Sequence, residues 1–399
     1  MSLTVSIWRN FRIMVVLASA SLAICTHDVR ADANDDLRKR TLQRAPQLAG
    51  LLDRALAGSS EAQTSLGFQL LEGFYGRDVG LAVEWLEKAA RGGSRHAAYS
   101  LGLLFQFGTM IGAPANVVPK DTARAIHWFG KSYEWGDMCA AKRLGGIARD
   151  GKPPDHRQAI EWFEKCAKGG ERSCQEDLAY YYLNGTLVPR DYRRSLHWML
   201  EALKSPDDRG YPPRVAALQA HAGLQFENGL GTSRNIAEAM KWYELAADGG
   251  DNYALFALGR LYGEGIDVPR DDALAIRLLS KAAQAGYQPA QYRLALAYLD
   301  GKGVPRDRTQ ALKWLILATV SPEVDSSWAD EFYRENPHLF GLLSLRLDPI
   351  MRVVAGQQLF SLRSELEAQE VRAAERLVAE FEPTEGPVPP SPYAPQPRC

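Results

Sequence analysis

The stretch of sequence that decides the fold is ALFALGRLYGEGIDVPRDDALAIRLLSKAAQAG, residues 254–286. Its apolar residues recur at offsets of three and four, so Ala254, Leu258 and Tyr262 fall on one stripe of a helix. A glycine-rich turn follows, and Asp271 stands where a second helix needs its N-cap. The stretch therefore predicts a helix–turn–helix hairpin.

The same pattern recurs six more times along the chain. Its most visible mark is a Trp, or once a Leu, near the middle of each second helix: Trp85, Trp128, Trp162, Trp198, Trp242, Leu278 and Trp314. The steps between these marks are 34 to 44 residues, and the longer steps place extra residues in two predicted turns, 108–119 and 205–213. Seven hairpins that stack side by side predict an all-α fold, a right-handed α-solenoid over residues 59–320.

Three further positions of the pattern have mechanical roles. Small residues in the first helix let a neighbouring helix approach closely: Gly67, Gly102, Gly145, Ala179, Gly223, Gly259 and Ala295. Acidic or amide residues are predicted N-caps of the second helices: Asp121, Asp155, Asp191, Asn235, Asp271 and Asp307. Glycines that tolerate the left-handed conformation are predicted to end the second helices: Gly92, Gly169, Gly249 and Gly286.

The regions that flank the repeats differ in composition. Residues 32–58 read as an N-terminal helical cap, and residues 321–382 read as a C-terminal helical region. In that region we predict helices around 330–336 and 340–347, and a third over 349–381. Residues 383–399 hold seven prolines and are expected to be an extended, disordered tail.

The first 31 residues resemble a secretory signal. Two arginines precede an apolar stretch, residues 13–24, which is too short for a typical membrane span. We place cleavage after Ala31, which predicts a periplasmic or secreted protein without a transmembrane segment after signal removal. Cys25 leaves a lipoprotein tether open, although Ile24 stands where a lipobox has a small residue.

Composition excludes several classes of protein. The chain has 399 residues, of which 46% are hydrophobic and 24% charged, and this is typical of a folded globular protein rather than a disordered one. The formal net charge is −1. Without a basic excess, we expect no nucleic acid partner.

The repeated motif, from its Ala-x3-Leu-Gly beginning to its Ala-Ala-x2-Gly end, resembles the Sel-1-like repeat, a relative of the tetratricopeptide repeat. This resemblance implies a non-enzymatic adaptor or regulator of protein complexes, which binds a protein partner on its concave face. Combined with the signal segment, it implies a scaffold of the bacterial cell envelope.

Two cysteines are similar to those of the cysteine-rich secreted members of this family. Cys166 lies near the end of one predicted helix and Cys174 near the start of the next. The resemblance to those members implies that these two cysteines form a disulfide. The alternative is a pair of separate buried thiols, since Cys packs well in cores. Cys139 and Cys399 receive no assigned partners.

Catalytic patterns are missing from the sequence. It has no Gly-x-Ser-x-Gly, phosphate loop, His-Glu-x-x-His or paired Cys-x-x-Cys. His127 and His197 precede repeat tryptophans, and we interpret them as solvated or capping residues rather than metal ligands. Penicillin binding and weak β-lactamase activity are attributed to cysteine-rich relatives, but the chain has neither Ser-x-x-Lys nor Lys-Thr-Gly. We therefore expect no enzyme activity, cofactor or metal.

The predicted partner-binding residues lie at inward-pointing positions of the first helices: Tyr99, Tyr180, Asn184, Tyr253, Phe256, Arg260 and Tyr292. Tyr and Arg are enriched at the hot spots of protein interfaces. Two alternatives remain open at this point. These aromatic residues either face a partner or pack between repeats, and the partner is either a protein or an envelope glycan such as peptidoglycan, whose sugar rings stack on aromatic side chains.

Overall fold

The computed structural model describes residues 34–72, 78–108, 118–204, 212–319 and 349–383. The predicted signal segment, the predicted helices around 330–336 and 340–347, and nearly all of the predicted tail lie outside these residues. Within them, every regular element is a helix.

The chain begins with helix α1 over residues 34–44, followed by a short 3-10 turn. The helices that follow are α2 (Ala49–Leu56), α3 (Ser60–Glu72), α4 (Val79–Arg91), α5 (Arg95–Phe107), α6 (Thr122–Glu134), α7 (Met138–Asp150), α8 (His156–Lys168), α9 (Arg172–Asn184), α10 (Tyr192–Lys204), α11 (Pro212–Asn228), α12 (Ile236–Asp248), α13 (Asn252–Glu264), α14 (Asp272–Gln284), α15 (Gln288–Asp300), α16 (Arg308–Thr319), α17 (Pro349–Glu365) and α18 (Ala368–Ala379).

The fold is an α-solenoid whose helices pack against their neighbours in sequence, and the chain divides into two compact units between Lys165 and Cys166. In the first unit, α2 to α7 pack one on the next. In the second unit, α9 to α16 do the same, and α17 and α18 pack against α16. The odd-numbered helices from α3 to α15 are the first helices of their hairpins, and the even-numbered helices are the second.

In the five repeats whose first helix has a glycine as its small residue, that glycine packs against the residue that directly follows the repeat Trp or Leu. A Cβ added to Gly102 would lie 2.5 Å from the Phe129 ring, and one added to Gly223 would lie 2.7 Å from the Tyr243 ring. The same contact joins Gly67 to Leu86, Gly145 to Phe163 and Gly259 to Leu279. The predicted close approach is therefore confirmed, and the bulky partner that fills the space is the residue after the Trp.

The predicted N-caps of the second helices are confirmed. In each cap residue a side-chain oxygen accepts a hydrogen bond of 2.8 to 3.1 Å from the backbone N–H three residues later. These residues are Asp121, Asp155, Asp191, Asn235, Asp271 and Asp307. The predicted helix-ending glycines are correct at Gly286 but displaced by one residue elsewhere. The positive φ angles belong to Gly93, Gly170 and Gly250, because the helix runs one residue further before the chain reverses.

Helices outside the repeats cover both ends. At the N-terminus, Trp85 Nε1 donates to Thr41 Oγ1 on α1 at 3.0 Å, which fastens α1 to the first repeat. At the C-terminus, the third predicted helix is two helices, α17 and α18. The predicted helix is interrupted at Glu367, because this residue is the N-cap of α18 and forms a capping box with Glu370.

The structure joins Cys166 to Cys174 in a disulfide whose Cα atoms lie 5.9 Å apart. Both residues are fully buried, and the bond spans the turn from α8 to α9. Cys139, which the sequence left unassigned, is also disulfide-bonded.

Candidate functional site

The predicted binding residues lie on the first helices, as expected from their register. Tyr99 is on α5 in the first unit. The second unit holds the others: Tyr180 and Asn184 on α9, Tyr253, Phe256 and Arg260 on α13, and Tyr292 on α15. We call the half-buried residues of the second unit, Tyr180, Asn184, Tyr253, Phe256 and Arg260, the first-helix face.

The aromatic residues of this face belong to a series of ring contacts. The Tyr253 ring lies 5.9 Å from the Tyr243 ring and 6.4 Å from the Phe256 ring, and Phe256 lies 5.4 Å from Tyr287. Tyr243 and Tyr287 are almost fully buried, whereas Tyr253 and Phe256 are half-buried. The two residues on α13 therefore do both jobs that the sequence left open: they pack between repeats and retain an exposed part.

Arg260 is held by carboxylates from two helices. Its side chain is 22% exposed and pairs with Glu227 on α11 and, at 2.9 Å, with Glu264 on its own helix. The Tyr243 hydroxyl donates to Glu227 Oε2 at 2.7 Å. Arg293 on α15 reaches Glu264 Oε1 at 3.1 Å, so one chain of charged and polar contacts crosses α11, α12, α13 and α15.

Burial fixes the protonation of the phenols in this region. It raises the pKa of Tyr243 and of Tyr253, because the phenolate would lose its hydration. Both hydroxyls therefore stay protonated at neutral pH, and that of Tyr243 can donate to Glu227.

A second polar group surrounds Tyr180. Its ring meets the His221 ring edge-on at 5.5 Å, and burial raises the pKa of its hydroxyl. One turn earlier on α9, Glu176 is buried and its carboxylate lies 2.9 Å from Arg172 Nε and 2.5 Å from Arg214 Nε. This carboxylate between two arginines joins α9 to the start of α11 beside Tyr180.

His221 and Asp251 are titratable residues that the sequence reasoning did not single out. His221 is 6% exposed, and burial lowers its pKa to about 4. Its Nδ1 lies 2.7 Å from the Ala217 carbonyl oxygen, which fits a neutral ring that donates there. Asp251 caps α13, and burial raises its pKa to about 6. The cap position of Asp251 is readable from the sequence, but its burial is not.

Tyr292 does not belong to this face. It is 5% exposed and lies in the hydrophobic core that includes Ala355 and Leu362 of α17. The sequence placed it on an open surface because α17 does not carry the repeat pattern, so its packing over α15 could not be anticipated.

Tyr99, in the first unit, is half-buried. Its ring meets the Phe129 ring edge-on at 5.6 Å, and its hydroxyl accepts a hydrogen bond from Arg143 Nε at 3.1 Å. These contacts show that it helps to join α5 to α6 and α7.

A model of the Sel1 repeat matches the chain seven times, at residues 60–94, 95–137, 140–171, 172–207, 217–251, 252–287 and 288–319. These matches together cover more than half of the chain. The chain belongs to the Sel1 repeat family. Sel1 repeat proteins act as protein-interaction scaffolds, so the family membership makes proteins the expected class of partner.

Two curated relatives are regulators of chitin synthase. The chain is 27% identical to the chitin synthase regulator SKT5 of Malassezia restricta, over 45% of this chain and 12% of the relative. It is 28% identical to chitin synthase regulatory factor 3 of Schizosaccharomyces pombe, over 48% of this chain and 20% of the relative. The chain thus spans a fifth or less of the length of these two proteins.

Among solved structures, the Sel1 repeat protein of Oxalobacter formigenes is 29% identical, with a TM-score of 0.47. The comparison covers 76% of this chain and 86% of that one.

Each match between residues 60 and 319 coincides with one hairpin, and the binding residues predicted from the sequence lie on the first helices of four of these repeats. In the described ranges, no group of three or more His, Cys, Asp or Glu residues could hold a metal ion. His127 and His197 instead meet the ring of the following Trp edge-on, at 5.0 and 4.9 Å. No helix in the described part of the chain is long and apolar enough to cross a bilayer.

Proposed function

We propose that this Sel1 repeat protein is a non-enzymatic protein-interaction scaffold of the bacterial cell envelope, and that its first-helix face holds the partner. One observation carries the proposal. The first helices α9 and α13 of the second unit present half-buried tyrosine, phenylalanine, asparagine and arginine side chains, and of these Tyr and Arg are enriched at interface hot spots.

The contacts within the face favour binding because they hold its side chains in place before a partner arrives. Arg260 is fixed by Glu227 and Glu264, and Tyr253 is fixed between two aromatic rings. A side chain that is already ordered loses little rotational freedom on binding, so less of the contact energy is spent on ordering it.

The sequence supports the envelope part of the proposal in two ways. The first 31 residues have the pattern of a secretory signal. The disulfide between Cys166 and Cys174 suits an oxidising compartment. The chitin synthase regulators among the relatives are a precedent for regulation of another protein, and we propose that the partner here is likewise a protein rather than a glycan.

Photo-crosslinking tests the face without removing its packing. A benzophenone amino acid replaces Phe256 in one variant and Leu245 in another. Leu245 is 50% exposed on α12, a second helix of the same unit, and is the matched control. We expect a protein adduct from position 256 and none from position 245 when cells are irradiated and the adducts are identified by mass spectrometry.

An adduct from position 245 alone, or equal adducts from both positions, would contradict the first-helix face. Retention of the purified protein on peptidoglycan, without any protein adduct, would favour the glycan alternative. The compartment is checked separately by quenching cells in acid and alkylating the protein in denaturant, which exposes the otherwise buried Cys166 and Cys174. In the envelope we expect Cys166 and Cys174 to resist the reagent until a reductant is added, and a mature N-terminus at Asp32; free thiols and an intact N-terminus would contradict an envelope location.

A further inference from the structure

A groove lies between the second helices α4 and α6 of the first unit. It has a volume of about 670 Å³, and its principal lining residues are Arg91, Arg124, His127, Trp128, Lys131 and Trp135. We call it the α4–α6 groove. Its volume is within the range of sites that bind small molecules or several residues of a peptide.

The floor of the α4–α6 groove is apolar. Ala90 is fully buried, Trp128 is 8% exposed, and Trp135 is half-buried. The His127 ring stands edge-on to Trp128, with 5.0 Å between ring centroids. This floor can bury one apolar or aromatic side chain of a ligand, and an aromatic ring there gains more than its buried area alone would give.

The rim of the groove carries more positive than negative charge. Glu87 is shared by two arginines, at 2.7 Å from Arg91 and 2.6 Å from Arg124, and Lys131 pairs with Glu134 at 2.8 Å. Three cations thus face two carboxylates. The side chains of Arg91, Arg124 and Lys131 are 69%, 47% and 43% exposed, so all three can reach a ligand in solution.

We propose that the α4–α6 groove binds an acidic segment of a protein partner that carries an aromatic residue among its carboxylates. The aromatic residue lies on Trp128 and Trp135, and the carboxylates pair with Arg91 and Lys131. Arg124 keeps its bond to Glu87 and stacks on Phe105 at 3.7 Å, so it is the fixed wall of the groove. This site is on other helices than the first-helix face and does not depend on it.

The excess charge and the tryptophan floor make separate demands on the ligand. A simple polyanion can pair with the cations of the rim but places no apolar group on the tryptophans. A neutral apolar segment can pack on the tryptophans but brings no carboxylate to the rim. An acidic segment with an aromatic residue satisfies both demands, and rim charges of this kind mainly set the rate of association and its dependence on salt.

The test uses a fluorescein-labelled peptide of repeating Glu-Phe-Glu units and the full mature chain. Two further peptides replace every Glu by Lys or every Phe by Ala. The groove variant is Arg91→Glu with Lys131→Glu. The control variant, Arg157→Glu with Lys241→Glu, makes the same change in net charge on second helices outside the groove, where these two side chains are 91% and 69% exposed.

Fluorescence anisotropy should show binding of the Glu-Phe-Glu peptide to the natural protein and to the control variant. We expect the groove variant to bind it about tenfold more weakly, since two attractive rim contacts become repulsive. Circular dichroism of both variants checks that the helices remain folded.

Several results would overturn the proposal. They are no binding of the Glu-Phe-Glu peptide, equal loss of binding in both variants, or undiminished binding of the Lys-containing peptide. Equal binding of the Glu-Ala-Glu peptide would show that the groove recognises polyanions rather than an acidic segment with an aromatic residue.

Discussion

The first-helix face of the second unit and the α4–α6 groove of the first unit both combine arginine with aromatic rings, yet they use them differently. On the face, Arg260 is 22% exposed and lies between two carboxylates of this chain. In the groove, Arg91 is 69% exposed and shares its single carboxylate with Arg124. The face is largely satisfied by internal contacts, whereas the groove retains a surplus of positive charge.

The two surfaces should therefore respond differently to substitution. A charge that is half-buried and paired contributes to the folded state, and its partner is left unpaired when it is removed. A charge on an exposed rim contributes little to folding, because water and salt screen it. Substitutions in the face should therefore cost stability, and those in the groove should change binding alone.

The largest expected effect is that of Glu227→Ala. Its side chain is 11% exposed and serves both Arg260 and the Tyr243 hydroxyl, so its loss leaves the Tyr243 hydroxyl without this acceptor and Arg260 with Glu264 alone. We expect the free energy of unfolding in urea to fall by about 3 kcal/mol. Glu134→Ala, which removes a 59% exposed carboxylate beside the groove, should change it by less than about 0.5 kcal/mol. Similar losses in both variants would remove the distinction between the two surfaces.

A smaller effect, of about 2 kcal/mol, is expected from the pH dependence of His221. Its pKa is lowered to about 4 by burial, so the unfolded chain takes up a proton first as the pH falls. The natural protein should therefore lose about 2 kcal/mol between about pH 7 and pH 5 through this residue, which His221→Gln should recover.

The control for this measurement is His127→Gln, which makes the same substitution at an exposed histidine that lines the groove. Asp251 acts in the opposite direction, because its raised pKa of about 6 removes stability as the pH rises through the same interval. Asp251→Asn, which can still cap α13, separates the two contributions. A pH profile that His221→Gln does not alter would contradict the burial of this ring.

The smallest effects compare two glycines. Gly223→Ala places a methyl group 2.7 Å from the Tyr243 ring, and Tyr243 holds Glu227. We expect a loss of about 1–2 kcal/mol from this overpacking. Gly130→Ala, on α6 with nothing within 4 Å of the added atom, should instead gain about 0.5 kcal/mol, since alanine favours the helix. A loss of stability at Gly130 equal to that at Gly223 would show that backbone effects, rather than the contact with the Tyr243 ring, decide the change in stability.

Sequence reasoning predicted those features that depend on one hairpin alone. The N-cap role of Asp271 and the close approach at Gly259 need only the order of residues within about thirty positions, and both are confirmed. Arg260 shows the limit: its helix register gave its direction, but its partner Glu227 lies 33 residues away on another helix. Tyr292 shows a second limit, because the helix that buries it lies outside the repeats and shares none of their pattern.

The contact between the small residue of a first helix and the side chain after the repeat Trp or Leu decides which segments of this chain can be transplanted. Leu86, Phe129, Phe163, Tyr243 and Leu279 all oppose a glycine, whereas Ala179 and Ala295 occupy the same position in repeats that carry Met199 and Leu315. At this position an aromatic ring is therefore found only in hairpins whose first helix has a glycine, where the absence of a methyl group leaves room for the ring. A transplanted segment that begins at a first helix and ends after its second helix contains both the small residue and the side chain that packs against it. A segment cut between the two helices separates these two residues. The hairpin, rather than the single helix, is the unit in which this chain can be rearranged.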